Sequence, residues 1–192
     1  MDGKERILVI KLGALGDFVQ ALGPFAAIRR HHADAWITLL TTQPHAELAY
    51  ASGCFDEIWI DRRSRLPRRL MALRGWMRAA RFRRVYDLQT SDRSCFYYHL
   101  FWPGPYPEWS GIARGCSHPH ANPARDAMHT LDRQAEQLRM AGIAEVPPPD
   151  TSWARPDLGR FGLPARYALL VAGGAPHRPA KRWPAERFAE LA

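Results

Sequence analysis

Apolar positions come in two alternating rhythms along this chain. Ile7-Leu8-Val9-Ile10 is a continuous apolar run with β-branched residues, as expected of a parallel strand buried on both faces. Gly13 and Gly16 follow in a turn, and Phe18, Ala21, Leu22, Phe25 and Ile28 then recur at helical spacing. Pro24 falls inside that helix and predicts a kink or a division near Gly23. Trp36 to Leu40 predicts a second strand, Pro44 to Ala51 a short helix and Glu57 to Ile60 a third strand. Leu66, Leu70, Leu73, Met77 and Ala80 form a helical stripe with arginines on the remaining faces. Arg84 to Gln89 reads as a fourth strand, followed by a helix through Phe96 to Phe101. Strands alternating with helices predict an α/β fold, a doubly wound parallel sheet.

The second half carries most of the prolines and is expected to be broken by connections. Ala127 to Met140 is helical in pattern, and Pro147-Pro148-Pro149 stiffens an extended connector. A new strand is predicted over Tyr167 to Val171, a turn at Gly173-Gly174 and a helix over Pro184 to Leu191 with its proline near the first turn. One domain over residues 1–146, a linker over 147–166 and the opening of a second domain over 167–192 are therefore expected. One strand and one helix cannot bury a core of their own.

Composition narrows the class. With 192 residues, 46% apolar and 24% charged, the chain can bury a sizeable core. Cys54, Cys95 and Cys116 are too few and too widely spaced for a disulfide framework, so a reducing, cytoplasmic setting is expected. No apolar stretch approaches the roughly 18 residues that span a bilayer. The net charge of +8 has a single origin, since ten arginines and no acid lie between Arg62 and Arg84. Without that segment the chain is slightly acidic. Three readings of it stand open: a solvated amphipathic helix, contact with anionic lipid headgroups and acceptor phosphates, and nucleic-acid binding. No zinc-finger, RRM or KH signature accompanies the charge, which disfavours the last.

The segment Lys11-Leu12-Gly13-Ala14-Leu15-Gly16-Asp17 lies where α/β folds place ligands, at the carboxyl end of a strand and the start of a helix. It is neither GxGxxG nor GxxxxGK[ST], which argues against a nucleotide-dependent oxidoreductase. A carboxylate at the helix start repels phosphate, but it can accept a proton from a substrate hydroxyl, and the helix dipole stabilises its ionised form by roughly 0.3 to 1 kcal/mol. An ordinary helix cap is the plainer role for Asp17. His118 and His120 with Cys116 lack a matching second pair of ligands, so no metal is expected there. His129 is expected either to line a cleft or to cap a helix. Trp102, Trp109 and Trp153 read as core plugs.

Taken together, Ile7 to Asp17 with Pro24, Trp36 to Leu40, Phe55-Asp56-Glu57-Ile58 before Asp61-Arg62, Tyr86-Asp87-Leu88-Gln89 with Ser91, Arg93 and Ser94, Met128-His129 with Asp132-Arg133, and Lys181-Arg182-Trp183-Pro184 before Glu186, Arg187 and Phe188 resemble glycosyltransferase family 9, the ADP-heptose:lipopolysaccharide heptosyltransferases. The segments occur in family order and span nearly the whole chain. The resemblance implies a GT-B architecture of two facing Rossmann-like domains, the first holding a lipid-linked acceptor and the second ADP-heptose or a related nucleotide sugar. It implies inversion at the sugar, with no metal or other cofactor. Asp17 is then the general base. Gly173, Gly174 and Lys181 are expected on the donor side, and Gly13, Gly16, Arg62, Arg63, Arg65, Gln89, Arg93 and His129 on the acceptor side. The family loop commonly carries small hydroxyl residues near its lysine, whereas this one reads Ala175-Pro176-His177-Arg178-Pro179-Ala180. The lipopolysaccharide core is the implied acceptor, and the inner face of an anionic inner membrane, where the chain could sit peripherally, the implied surface. By the same resemblance most of a donor domain is missing, and the 192 residues alone are expected to be inactive or nearly so. A non-catalytic module that binds the acceptor or an anionic membrane is the alternative.

Overall fold

In the computed structural model, residues 3–64, 66–155, 157–173 and 179–192 are described, with side chains for all of these but Lys181. The elements run β1 (Arg6–Ile10), α1 (Leu15–Gln20), α2 (Leu22–His31), β2 (Trp36–Thr41), α3 (Ala46–Ala51), β3 (Glu57–Ile60), α4 (Pro67–Ala79), β4 (Arg84–Asp87), α5 (Asp92–His99), β5 (Glu108–Gly111), β6 (His118–Pro119), α6 (Thr130–Met140) and α7 (Ala185–Leu191). The six strands are parallel, in the order β3-β2-β1-β4-β5-β6. The order reverses direction between β1 and β4, the switch point of a doubly wound, Rossmann-like sheet.

The period of two along each strand distributes the core. Ile7 and Val9 point to one face with Ile37 and Leu39, against Phe18, Phe25, Ile28 and Leu138 from α1, α2 and α6. Leu8 and Ile10 point to the other, against Leu73 and Met77 of α4, Tyr97 of α5 and Trp109 of β5. Helices on both faces explain why β1 and β2 are buried almost throughout rather than on alternate residues.

The helix that Pro24 was expected to divide does divide, at Ala21 rather than Gly23. Pro24 falls in the first turn of α2, where a backbone N–H would have no intrahelical acceptor, so its ring costs nothing there. Gly23 has a different role. A Cβ on it would stand 2.1 Å from the Pro147 carbonyl oxygen, because the backbone at 147–148 lies across α2. The pattern at Ala127 to Met140 resolves into a short 3-10 turn, an extended Met128 and then α6. The short strands β5 and β6, amid prolines, escape periodicity altogether. Trp109 is fully buried in the core and Trp153 packs on its edge, while Trp102, expected as a plug, is 68% exposed.

The chain divides into two compact units, residues 1–154 and 155–192. The first contains the sheet, and its last residues pack on the α2 side of the core. The second contains short 3-10 turns at Gly159–Phe161 and Pro179–Lys181 and the helix α7, capped by Pro184. Residues 167–171, expected as a strand, are exposed and unpaired among the described residues; without a neighbouring ladder the apolar run has nothing to make it a strand.

Candidate functional site

The carboxyl end of β1 opens into the loop of residues 11–14, held by other elements through its backbone, while Gly16, expected in the turn, lies in the first turn of α1. The Leu12 N–H donates to Gln89 Oε1 at 2.8 Å, and its carbonyl accepts from Arg63 Nη2 at 2.6 Å and from Thr42 Oγ1 at 3.2 Å. Gly13 lies at φ +122°, and a Cβ there would meet His45 Cε1 at 2.6 Å. Only glycine lets the loop pass over the imidazole, which stacks on Phe18 at 5.0 Å and is bonded to Thr42 Oγ1 through Nδ1 at 3.0 Å. Burial, then Arg63 and Lys11, lower the His45 pKa. Gly16, by contrast, has open space around it.

Lys11 is buried beneath the loop with Nζ donating to the Leu88 carbonyl at 3.1 Å. Burial pulls the ammonium down to about 8, opposed by the nearby carboxylates of Asp17 and Asp87. Asp17 stands in the first turn of α1, exposed, and no donor reaches it among the described residues. It is a carboxylate held in place by its helix and left available.

The loop, the end of β2 and the segment after β3 enclose an open cleft of about 450 Å³, lined by Gly13, Thr42, His45, Asp61, Arg62 and Arg63 among others. Asp61 lines it and is held from behind by an ion pair. Arg93 Nε and Nη2 grip Asp61 Oδ2 and Oδ1 at 2.9 and 3.0 Å, Tyr97 Oη donates to Oδ2 at 2.5 Å, and the Arg63 N–H to Oδ1 at 2.7 Å. Burial works against the Asp61 charge, but the bonds from Arg93, Tyr97 and the Arg63 backbone prevail and hold its carboxyl below the usual range. Asp87, at the end of β4, is wholly buried, and burial pushes it up to about 6 although the Thr90 and Gln89 N–H groups donate to it.

The residues expected in the site thus separate by role. Gly13, Arg62 and Arg63 share the cleft, and Asp17 stands three residues beyond Ala14 of its wall. Gln89 builds the loop from below, and Arg93 is engaged by Asp61 behind the cleft. His129 caps α6, its Nδ1 accepting from the Leu131 N–H at 3.4 Å. Gly173 is exposed, in the second unit. Arg65, Gly174 and the Lys181 side chain lie outside the described residues. Sequence reasoning assigned nothing to Lys11, Thr42, His45 and Asp61. Asp61 had one available signal: it is the acid immediately before an acid-free run of arginines. His120, weighed as a metal ligand, instead meets Glu136 Oε2 through Nε2 at 2.8 Å.

A Rossmann-like sheet with its cleft at the carboxyl ends of the strands is the architecture of one half of a GT-B glycosyltransferase. Three solved structures share it. The glycosyl transferase family 9 protein of Veillonella parvula aligns over 100% of this chain and 60% of its own, with a TM-score of 0.72 and 20% identity. The E. coli heptosyltransferase WaaC, solved with ADP-2-deoxy-2-fluoro heptose, aligns over 97% and 64%, with a TM-score of 0.69 and 18% identity. The E. coli ADP-heptose lps heptosyltransferase II aligns over 97% and 60%, with a TM-score of 0.66 and 18% identity. The chain therefore spans less than two thirds of the length of these structures. No protein-family model matches the sequence, and no curated protein does.

Proposed function

We propose that this chain carries the acceptor side of a glycosyltransferase that passes heptose from ADP-heptose to the inner core of lipopolysaccharide. The observation that carries the reading is the free carboxylate of Asp17 at the sheet's switch point, beside a cleft lined by Arg62 and Arg63. WaaC has been solved with ADP and with ADP-2-deoxy-2-fluoro heptose, which supports a nucleotide sugar as the partner.

In this mechanism Asp17 removes the proton of an acceptor hydroxyl as that oxygen attacks the anomeric carbon from the face opposite the departing ADP, so the configuration inverts. Protonated Asp17 then returns its proton to solvent. The leaving diphosphate gains charge as the bond breaks, and the segment with Gly173, Gly174 and Lys181 would supply backbone N–H groups and an ammonium to meet it, without a metal ion. On the acceptor side, Arg62 and Arg63 face the cleft and suit anionic sugars or phosphates. Gly13 shapes the loop and Gly16 leaves the first turn of α1 open, Gln89 and Arg93 keep the loop's supports in place, and His129 stands at the start of α6. No helix among the described residues is long and apolar enough to cross a membrane, so a lipid-linked acceptor would be met at the bilayer surface.

The test pairs binding with turnover. Calorimetry with heptose-free lipopolysaccharide core should give acceptor binding within about twofold for wild type and Asp17→Asn, while ADP release from ADP-heptose, measured with a complete donor domain attached, falls at least about 100-fold in the variant. Equal ADP release would remove Asp17 from the base role. Failure of the wild type to bind the core would overturn the acceptor reading.

A further inference from the structure

A second pocket, of about 600 Å³, opens where the chain enters β4 and β5, at the end of the sheet opposite the Gly13 cleft. Met77, Phe82 and Phe101, all buried, form its floor, and Tyr106 stands in the wall between two prolines. That wall is fixed from α4, since Arg78 donates through Nη1 to the Phe101 carbonyl and through Nη2 to the Gly104 carbonyl at 2.9 Å. Two benzene rings and a thioether therefore lie at the bottom of a cavity whose walls the chain itself holds apart.

The charge around this cavity is uncompensated at one point. Glu108, the acid on the lining, accepts from Arg84 Nε on Oε2 at 2.6 Å and from Arg83 Nη2 on Oε1 at 3.2 Å, and Arg78 is occupied by carbonyls. Arg81 is exposed, and no acceptor reaches its guanidinium among the described residues. Its backbone is also in an unfavourable place. Arg81 follows the C-cap of α4 at φ +49°, a left-handed position that favours glycine or asparagine. The helix dipole favours a cation at this end, but Arg78 in the last turn already provides one. A strained arginine with no partner, at the mouth of an aromatic pocket, is a feature that folding alone does not account for.

We propose that this pocket binds a small aromatic carboxylate, its carboxylate on Arg81 and its ring on Met77, Phe82 and Phe101. Charge selects the head group. One free guanidinium matches a planar, singly charged carboxylate through two parallel N–H···O bonds, whereas a phosphate dianion would keep a second charge unmet. The floor selects the body, because rings meet rings edge-on or offset and sulfur meets a ring edge, contacts that a saturated group does not make. The site has its own lining at the far end of the sheet and holds whether or not the chain transfers a sugar.

Calorimetry of the full chain with phenylacetate tests it, against acetate, phenethyl alcohol, cyclohexylacetate and benzyl phosphate. The Met77 methyl resonance, assigned through Met77→Leu, reports the place of binding. Phenylacetate should bind at least about tenfold tighter than acetate or phenethyl alcohol, and at least about threefold tighter than cyclohexylacetate or benzyl phosphate. Its ring current should move the Met77 methyl upfield while the other methionine methyls stay in place. Arg81→Gly relieves the left-handed backbone, so it should resist urea at least as well as wild type yet bind phenylacetate at least about tenfold more weakly. Arg68→Gln, at an exposed position in the first turn of α4, should bind as wild type does. Absence of phenylacetate binding, undiminished binding by Arg81→Gly, or an unmoved Met77 methyl would overturn the site. Cyclohexylacetate or benzyl phosphate binding as tightly as phenylacetate would overturn the ligand class.

Discussion

Replacing glycine with alanine inside a helix ordinarily stabilises a protein by about 0.5 to 1 kcal/mol, because the glycine loses more backbone freedom on folding. Two glycines of this chain should answer that substitution with opposite signs. Around Gly75, in the interior of α4, an added Cβ meets nothing within 4 Å, so Gly75→Ala should gain roughly the full 0.5 to 1 kcal/mol. At Gly23, in the first turn of α2, the Cβ would stand 2.1 Å from the Pro147 carbonyl oxygen and 3.2 Å from Pro148 C. Carbon and oxygen settle no closer than about 3.3 Å, so the crossing segment must retreat by about 1 Å. It cannot do so by a rotamer change, since the obstacle is backbone, and consecutive prolines fix its φ angles. Overpacking of this kind costs about 1 to 3 kcal/mol, and a rigid backbone obstacle belongs at the upper end. After the helix gain is subtracted, Gly23→Ala should lose about 2 kcal/mol. Urea unfolding at pH 7 measures both, with m unchanged, and the thermal midpoint of Gly23→Ala should drop by about 4 to 8 °C for a unit of this size. A stabilised Gly23→Ala, or a shift of the same sign in both variants, would refute the packing of residues 147–148 across α2.

Two buried carboxylates should give opposite pH dependences. Asp61 has its folded-state pKa depressed, so its stabilisation is complete above the ordinary carboxylate range and is lost as pH falls through the folded value. Asp61→Asn should cost about 2 to 4 kcal/mol at pH 7, less at pH 3, since the variant leaves the Arg93 charge without its partner; an equal cost at both pH values would deny the ion pair its role. Asp87 has its pKa raised to about 6, so its contribution is complete below the ordinary value near 3.9 and is lost as pH rises through about 6. Asp87→Asn keeps an acceptor for the Gln89 and Thr90 N–H groups and should flatten the urea midpoint between about pH 4 and 6. An unaltered slope would show that Asp87 titrates normally.

The strands at the centre of the sheet were legible because they are buried on both faces. Apolar runs such as Ile7 to Ile10 and Trp36 to Leu40 carry that burial directly in their composition. Strands β5 and β6 were not, because a four-residue and a two-residue strand among prolines leave no period to detect. The site was legible in position but not in role. The glycine loop and Asp17 were visible from their place between a strand and a helix. That Gln89 holds a backbone N–H, or that Arg93 is consumed by Asp61, depends on partners 77 and 32 residues away, which no local spacing reveals.

The arginine segment shows what such distant partners do to a charge count. Ten arginines along one helix and its flanks look like a continuous basic stripe, suited to tracking a polyanion. Folding withdraws several of them: Arg74 and Arg78 satisfy carbonyls of the proline-rich turn after α5, and Arg83 and Arg84 meet Glu108 at the start of β5. What remains free is mostly gathered at the end of α4 nearest the Gly13 loop, where Arg62 lines the cleft. A stripe binds by the number of phosphates it spans, with a correspondingly steep dependence on salt. Two free guanidinium groups, Arg62 and Arg69, can instead hold one anion at one point, with a correspondingly shallow dependence on salt. The distribution of the free arginines therefore argues against a nucleic-acid backbone, and it does so through the residues that folding has taken out of play.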